Sequence, residues 1–207
     1  MNYRYITIEG NIGAGKTTLA NRLAKHYGAR IILEEFAENP FLPKFYEKPQ
    51  QYAFPLELFF MAERYKQLKD LLQSQDLFSD VVISDYLFVK SLLFAKINLK
   101  EEEFGLYQKL FEIINPQLLQ PDLLIFLNAP ITKLQQNIKI RNRSYEQQIA
   151  DEYLVSVHDM YIQYIKQHPI RTLMIDTTKT DFLKNPADFD LLLSALEKDY
   201  EPGIHYL

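Results

Sequence analysis

The sequence has no cysteine among its 207 residues. That excludes disulfides, thiolate metal sites and a cysteine nucleophile, and it sets the expectation of a cytoplasmic protein. A basic excess is missing too: 23 Lys and Arg face 27 Asp and Glu, for a formal charge of −4 at pH 7. A general nucleic-acid binder, which must neutralise a phosphate backbone, is therefore not expected. No apolar run approaches membrane-spanning length, and Met1-Asn2-Tyr3-Arg4 leads directly into a strand rather than a signal sequence, so no membrane partner is expected. The four histidines lack metal-ligand spacing, and internal repeats, low-complexity segments and linkers are absent. With 47% hydrophobic residues, the chain is expected to bury a full core as one domain over residues 1–207.

What is present is concentrated near the start. Gly10-Asn11-Ile12-Gly13-Ala14-Gly15-Lys16-Thr17 is a complete phosphate-binding loop, set between the apolar run Tyr5-Ile6-Thr7-Ile8 and a helical stretch that opens at Thr18. A loop with little side-chain bulk folds its backbone N–H groups around a polyphosphate, Lys16 reaches the outer phosphates, and Thr17 offers a hydroxyl to Mg²⁺. The following helix points its positive N-terminus at the anion. Such a loop predicts binding of a nucleoside triphosphate.

Short β-branched runs alternate with long helical patterns, which indicates an α/β fold with a parallel sheet wrapped by helices on both faces. Five strands are expected: Tyr3 to Glu9, Arg30 to Leu33, Val81 to Ser84, Leu123 to Leu127 and Arg171 to Ile175. Helical spacing runs over Thr17 to Tyr27, Gln50 to Ser74, Tyr86 to Asn98, Glu101 to Gln117, Ile131 to Ile140, Glu146 to Gln167 and Pro186 to Asp199. In such sheets ligands gather beyond the carboxyl ends of the strands. Strand two closes in Glu34-Glu35-Phe36, where a carboxylate is placed to take a proton from a phosphoryl acceptor; a solvated loop acid is the plain alternative for either Glu. Strand three closes in Ser84-Asp85, and Asp85 fits a metal-positioning acid opposite Thr17, with a turn residue as the alternative. Further on, Arg141 and Arg143 stand at a helix end. They suit either a mobile lid over phosphate, spanning about residues 137–147, or simple helix C-terminal cations.

Three segments make a more specific match: Tyr46-Glu47-Lys48-Pro49-Gln50-Gln51-Tyr52-Ala53-Phe54-Pro55-Leu56-Glu57, the arginine segment ending in Glu146, and Tyr153-Leu154 through His158. Together they resemble the deoxynucleoside kinase family, over most of the chain. The resemblance implies a P-loop kinase with a five-stranded parallel sheet that transfers the ATP γ-phosphoryl group, with Mg²⁺, to the 5′-hydroxyl of a deoxynucleoside. It implies ATP over Gly10 to Thr18, Glu35 as the base at the 5′-hydroxyl, Tyr46 and Glu146 at the 3′-hydroxyl, and Arg141 and Arg143 in the lid. Glu57 and Arg64, seven residues apart and so on one helix face, would surround the nucleobase. A homodimer through helices near residues 86–98 is also implied, where Leu87, Phe88, Val89, Leu92, Leu93, Phe94 and Ile97 exceed one core-facing stripe; burial within the monomer is the alternative.

The sequence departs from the family pattern in three places. Asp85 is followed by Tyr86 and Leu87 where the family usually has Arg and Ser, so the arginine at the 5′-oxygen is missing. Lys90, one helical turn on, is a candidate replacement, with a solvated lysine as the alternative. An arginine restored at position 86 is accordingly expected to raise turnover. Asn137 replaces a lid arginine, and Glu57 replaces a base-reading Gln. An ionised Glu57 only accepts hydrogen bonds and best meets an edge with two donors, as guanine has. A preference for deoxyguanosine follows, unless Glu57 pairs with Arg64 or is protonated and mimics Gln. Two other functions share these motifs: a catalytically weakened nucleotide-binding or regulatory module, and a nucleoside monophosphate kinase, which needs more cation around its acceptor.

Overall fold

Strands that are apolar at every position must be covered on both faces. The computed structural model, which describes residues 2–35, 39–73, 81–182 and 184–207, covers them in that way. In chain order the elements are β1 (Tyr5–Gly10), α1 (Lys16–Tyr27), β2 (Arg30–Ile32), α2 (Leu42–Glu47), α3 (Pro49–Gln73), β3 (Val82–Ser84), α4 (Lys90–Asn98), α5 (Glu101–Ile114), β4 (Leu123–Asn128), α6 (Ile131–Arg141), α7 (Asp151–Gln167), β5 (Arg171–Asp176), α8 (Pro186–Leu196) and β6 (Gly203–Tyr206). Phe36, in the segment that closes strand two, and Ser74, the expected end of the long helix, lie outside the described residues.

The sheet runs β2-β3-β1-β4-β5-β6 with every pair parallel. Side chains alternate across it with the period of two that a strand imposes. Ile6, Ile8, Leu123, Ile125, Leu127, Leu173 and Ile175 pack with Leu19 and Leu23 of α1, Leu134 and Ile138 of α6, and Leu192 and Leu196 of α8. Tyr5, Val82, Leu124, Phe126 and Met174 face the other way, onto Met61 and Leu68 of α3, Leu93 of α4, Phe111 of α5 and Tyr161 of α7. The chain leaves β1 toward β2 and β3 on one side and resumes at β4 on the other, so a crevice opens beyond the carboxyl end of β1, as at topological switch points generally.

The α/β architecture is as the sequence predicts, with one strand more than the expected five. The sixth comes from the C-terminal residues: β6 pairs with the outer edge of β5, from Arg171↔Gly203 to Met174↔Tyr206. Its run is short and half-buried, so it carries no apolar signature; the open edge of β5 supplies the backbone partners that order it. Two helices also begin later than their periodicity predicts. α4 starts at Lys90 rather than Tyr86, because the Leu87 N–H is taken by the Glu9 carboxylate (2.7 Å) and the Tyr86 carbonyl by the Ser84 hydroxyl (3.0 Å). Ser144–Glu146 forms a separate 3₁₀ turn before α7.

Candidate active site

The phosphate loop joins β1 to α1 through backbone that side chains disfavour. Gly13 has φ +81°, and a Cβ there would lie 2.8 Å from the Leu134 carbonyl oxygen, so α6 can approach this closely only against glycine. Asn137 uses that approach, its Nδ2 donating to the Gly13 carbonyl at 2.8 Å; where a lid arginine was expected, an amide ties the loop to α6. Asn11 Nδ2 donates to the Leu154 carbonyl at 2.7 Å, tying the loop to α7. Ala14 is buried, Gly15 caps α1, and Thr17 and Thr18 are exposed in the first turn of α1. Lys16 curls back, its Nζ donating to the Gly10 (2.9 Å) and Asn11 (3.0 Å) carbonyls. Burial, and after it the charge of Lys90, lowers the Lys16 pKa to about 8.

Beyond β3, the Thr17 hydroxyl donates to Asp85 Oδ2, while Asp85 Oδ1 accepts the Glu34 N–H at 2.7 Å. A hydroxyl and a carboxylate, both hard oxygen donors, side by side at a phosphate loop fit Mg²⁺, which takes few protein ligands and completes its shell with water and phosphate.

At the end of β2 the structure separates the two glutamates. Glu34 turns into the cavity and Glu35 is exposed outside it. Neighbouring residues of a chain leaving a strand point to opposite sides, so only one carboxylate can enter, and the expectation of Glu35 as the base is corrected on that ground. Glu34 Oε1 accepts from Arg64 Nε (3.0 Å) and Nη2 (2.5 Å), and its Oε2 accepts from Lys90 Nζ (2.5 Å). Burial alone would raise its pKa, but Lys90 and Arg64 outweigh burial and hold the carboxyl well below the usual range. Glu34 is therefore ionised.

The cavity beyond Glu34 encloses about 790 Å³, counting its mouth. Ile12, Gly13, Lys16, Thr17, Tyr46, Glu57, Arg64, Asp85, Arg141, Arg143 and Glu146, singled out in the sequence, all line it. α3 presents Glu57 and Arg64 on its inner face, both about 97% buried. They do not pair: Arg64 is committed to Glu34 and to the Ser91 hydroxyl (2.7 Å), while Glu57 Oε1 accepts from Asn98 Nδ2 (2.7 Å) and Oε2 has no hydrogen-bond partner among the described residues. Burial pushes the Glu57 pKa up to about 7, against the pull of Asn98 and Arg64. At the lid, Arg141 and Arg143 (3.1 Å) both bind the buried Glu146. Tyr46 stacks on Tyr145 with ring centroids 5.9 Å apart, and burial, then Glu146, raises its pKa. Asn98 and Tyr153 also line the cavity; Tyr153 opens one of the segments that carry the resemblance, whereas nothing in the sequence context of Asn98 marks it. Glu9 on β1, wholly buried, receives the Leu87 N–H and the Tyr161 hydroxyl (2.9 Å), and so braces β1 against α7.

Comparison with known proteins agrees with this geometry. The family described as deoxynucleoside kinase matches residues 6–199. A deoxyguanosine kinase of Bacillus subtilis (strain 168) is 34% identical over 94% of this chain and 96% of its own length. A deoxyadenosine/deoxycytidine kinase of the same organism is 32% identical over 77% and 76%. In fold the chain is similar to a solved deoxyadenosine kinase of M. mycoides, with a TM-score of 0.81, 24% identity, and coverage of 93% of this chain and 98% of that one.

Tyr86 does not occupy the cavity. Its side chain is completely buried in the core, and its hydroxyl donates to Gln67 Oε1 at 2.7 Å. Gln67 in turn donates to the Leu33 carbonyl (3.2 Å), so Tyr86 braces α3 against the end of β2. The expectation that an arginine here raises turnover is withdrawn for this reason: a guanidinium would replace a core phenol whose hydrogen-bond partner, among the described residues, is a neutral amide and not a carboxylate. We expect Tyr86→Arg to destabilise the fold by about 3–5 kcal/mol, the cost typical of an uncompensated buried charge. Urea unfolding measures it, and a variant of wild-type stability with raised turnover would restore the original expectation.

Proposed function

The chain belongs to the deoxynucleoside kinase family, and we propose that it phosphorylates the 5′-hydroxyl of a purine deoxynucleoside, deoxyguanosine by preference, from ATP with Mg²⁺. One observation carries this reading. A single cavity holds an ionised carboxylate, Glu34, between a phosphate loop at one end and the Tyr46, Glu57 and Glu146 group at the other. In the reaction the 5′-oxygen bonds to the γ-phosphorus as the bond to the β,γ-bridging oxygen breaks, and the hydroxyl proton passes to Glu34. ADP and a deoxynucleoside 5′-monophosphate leave. Gly10 to Thr18 cradle the triphosphate, and Lys16 exchanges its loop carbonyls for phosphate oxygens. Thr17 and Asp85 hold Mg²⁺, which supplies positive charge to the phosphates when bound. Tyr46 and Glu146 hold the 3′-hydroxyl. Residues 137–147 act as the lid of a single domain, Arg141 and Arg143 turning from Glu146 to phosphate as substrates fill the site.

The protein acts as a cytoplasmic salvage enzyme and as a homodimer through the α4 region, where Leu92 and Ile97 stay only partly buried. Sedimentation velocity is expected to give twice the 24.5 kDa chain mass; a monomer at micromolar concentration would remove the dimer.

The base assignment is tested by the two neighbouring glutamates. Glu34→Gln keeps the shape and loses the proton acceptor, so kcat should fall by about 10²–10⁴-fold while calorimetry shows nearly unchanged ATP affinity. Glu35→Gln should turn over like wild type. The reverse pattern would return the role to Glu35.

Base preference should depend on pH through Glu57. Above its pKa of about 7 the carboxylate is ionised and accepts the ring N–H and amino group of guanine. Below it, the protonated acid both donates and accepts, as Gln does, and matches adenine. The ratio of kcat/KM for deoxyguanosine over deoxyadenosine is therefore expected to rise by about 5–10-fold between pH 6 and 8, within the 1–3 kcal/mol cost of one mismatched buried polar group. In Glu57→Gln the ratio should be low and flat. An unchanged ratio in both proteins would take Glu57 out of base recognition.

A further inference from the structure

Lys90 is the first residue of α4, and its side chain is 92% buried in the wall of the same cavity. A cation at a helix N-terminus opposes the helix dipole, and burying an ammonium is costly without a partner to match it. The carboxylate that it touches among the described residues, Glu34, does not depend on it alone. Glu34 is already neutralised by Arg64, which gives two N–H bonds to Oε1. Lys90 adds a second cation at Oε2, with the Phe94 ring 5.5 Å away as a further wall. Lys16 is partly buried nearby, and Lys90 is, after desolvation, the largest influence lowering its pKa. Two ammonium groups so close raise each other's cost. Glu9, Glu34 and Asp85 hold the two lysines in place, and an ammonium fixed in this way beside a phosphate loop, against a carboxylate that Arg64 also neutralises, is preorganised to meet an anion.

The oxygens of Glu34 place that anion. Oε1 is occupied by Arg64, so the oxygen open to an incoming hydroxyl is Oε2, the atom that Lys90 Nζ touches at 2.5 Å. A hydroxyl within hydrogen-bond reach of Oε2, about 2.7 Å, lies no further than about 5 Å from the ammonium. We propose that Lys90 is a catalytic residue of this kinase: its ammonium contacts the 5′-oxygen and the phosphoryl group during transfer, supplying from the first turn of α4 the charge that Tyr86 cannot supply. This rests on the kinase reading above and adds no atom to the reaction. The proton still goes to Glu34 Oε2, the 5′-oxygen still bonds to the γ-phosphorus as ADP leaves, and Lys90 takes no part in the proton transfer. It stabilises charge that grows in the transition state, so its loss appears in kcat more than in KM.

The test uses the full chain and its preferred deoxynucleoside. Lys90→Met removes the charge and keeps the stem; kcat should fall by about 10²–10³-fold, as for loss of one such group elsewhere. The KM for the deoxynucleoside and the calorimetric ATP affinity should stay within about threefold. Thermal unfolding should drop little, since Glu34 keeps Arg64. Lys90→Ala leaves room for a small amine, and n-propylamine should restore part of its kcat, an effect that a purely structural lysine would not give. A folded Lys90→Met with near wild-type kcat, or with its loss wholly in KM, overturns the proposal. Should Lys90→Met unfold, an amine-indifferent Lys90→Ala overturns it equally. Wild type that phosphorylates no deoxynucleoside would instead overturn the kinase reading, and this with it.

Discussion

The Glu34 carboxylate is the interaction on which the site depends. It is contacted from α3 by Arg64 and from α4 by Lys90, while its own backbone N–H is held by Asp85 at the end of β3. Asp85 in turn receives the Thr17 hydroxyl at the start of α1. Four elements from both sides of the sheet are thus registered to one another by a short chain of charge-assisted hydrogen bonds, which are stronger and more directional than neutral ones. Removing the carboxylate would take from Arg64 and Lys90 the counter-charge that both touch.

Charge is distributed along the cavity in a way that suits transfer between two bound molecules. At the lid end Arg141 and Arg143 are held by Glu146, and in the middle Arg64 is held by Glu34. Each arginine therefore has a protein carboxylate as a resting partner. The lysines differ: Lys16 rests on backbone carbonyls, and Lys90 shares a carboxylate already bound by Arg64. Exchange of a carbonyl or a shared oxygen for phosphate gains more than exchange of a dedicated ion pair, because less is lost on release. Preorganised cations of this kind need little rearrangement when charge develops.

Much of this was legible in the sequence wherever local rules decide the outcome. The phosphate loop needs only its own spacing between strand and helix, and Asp85 needs only the end of an apolar strand. Glu57 and Arg64 meet at one cavity because seven residues make two helical turns. The illegible parts turn on long-range contacts. Which of Glu34 and Glu35 enters the cavity depends on the parity of the strand's last residue, set by pairing with β3. β6 depends on an open edge contributed by residues more than twenty positions earlier. The start of α4 depends on Glu9, which captures the Leu87 N–H from across the sheet.

That last displacement explains how a tyrosine can follow Asp85 without disabling the enzyme. Had the helix begun at Tyr86, residues 86 and 90 would have stacked on one face, and either would have served as a cavity cation. Because residues 86–89 instead form an irregular connection, Tyr86 turns into the core toward Gln67 while Lys90 opens the helix facing Glu34. Tyr86 and Lys90 therefore constitute one arrangement. A side chain that packs α3 against β2 at the first position leaves the charge to be supplied from the second, and a guanidinium at the first would bury a charge where a neutral hydroxyl now meets Gln67. The catalytically weakened alternative drew its force from the missing arginine, and the geometry removes that force by placing another buried cation against the same carboxylate.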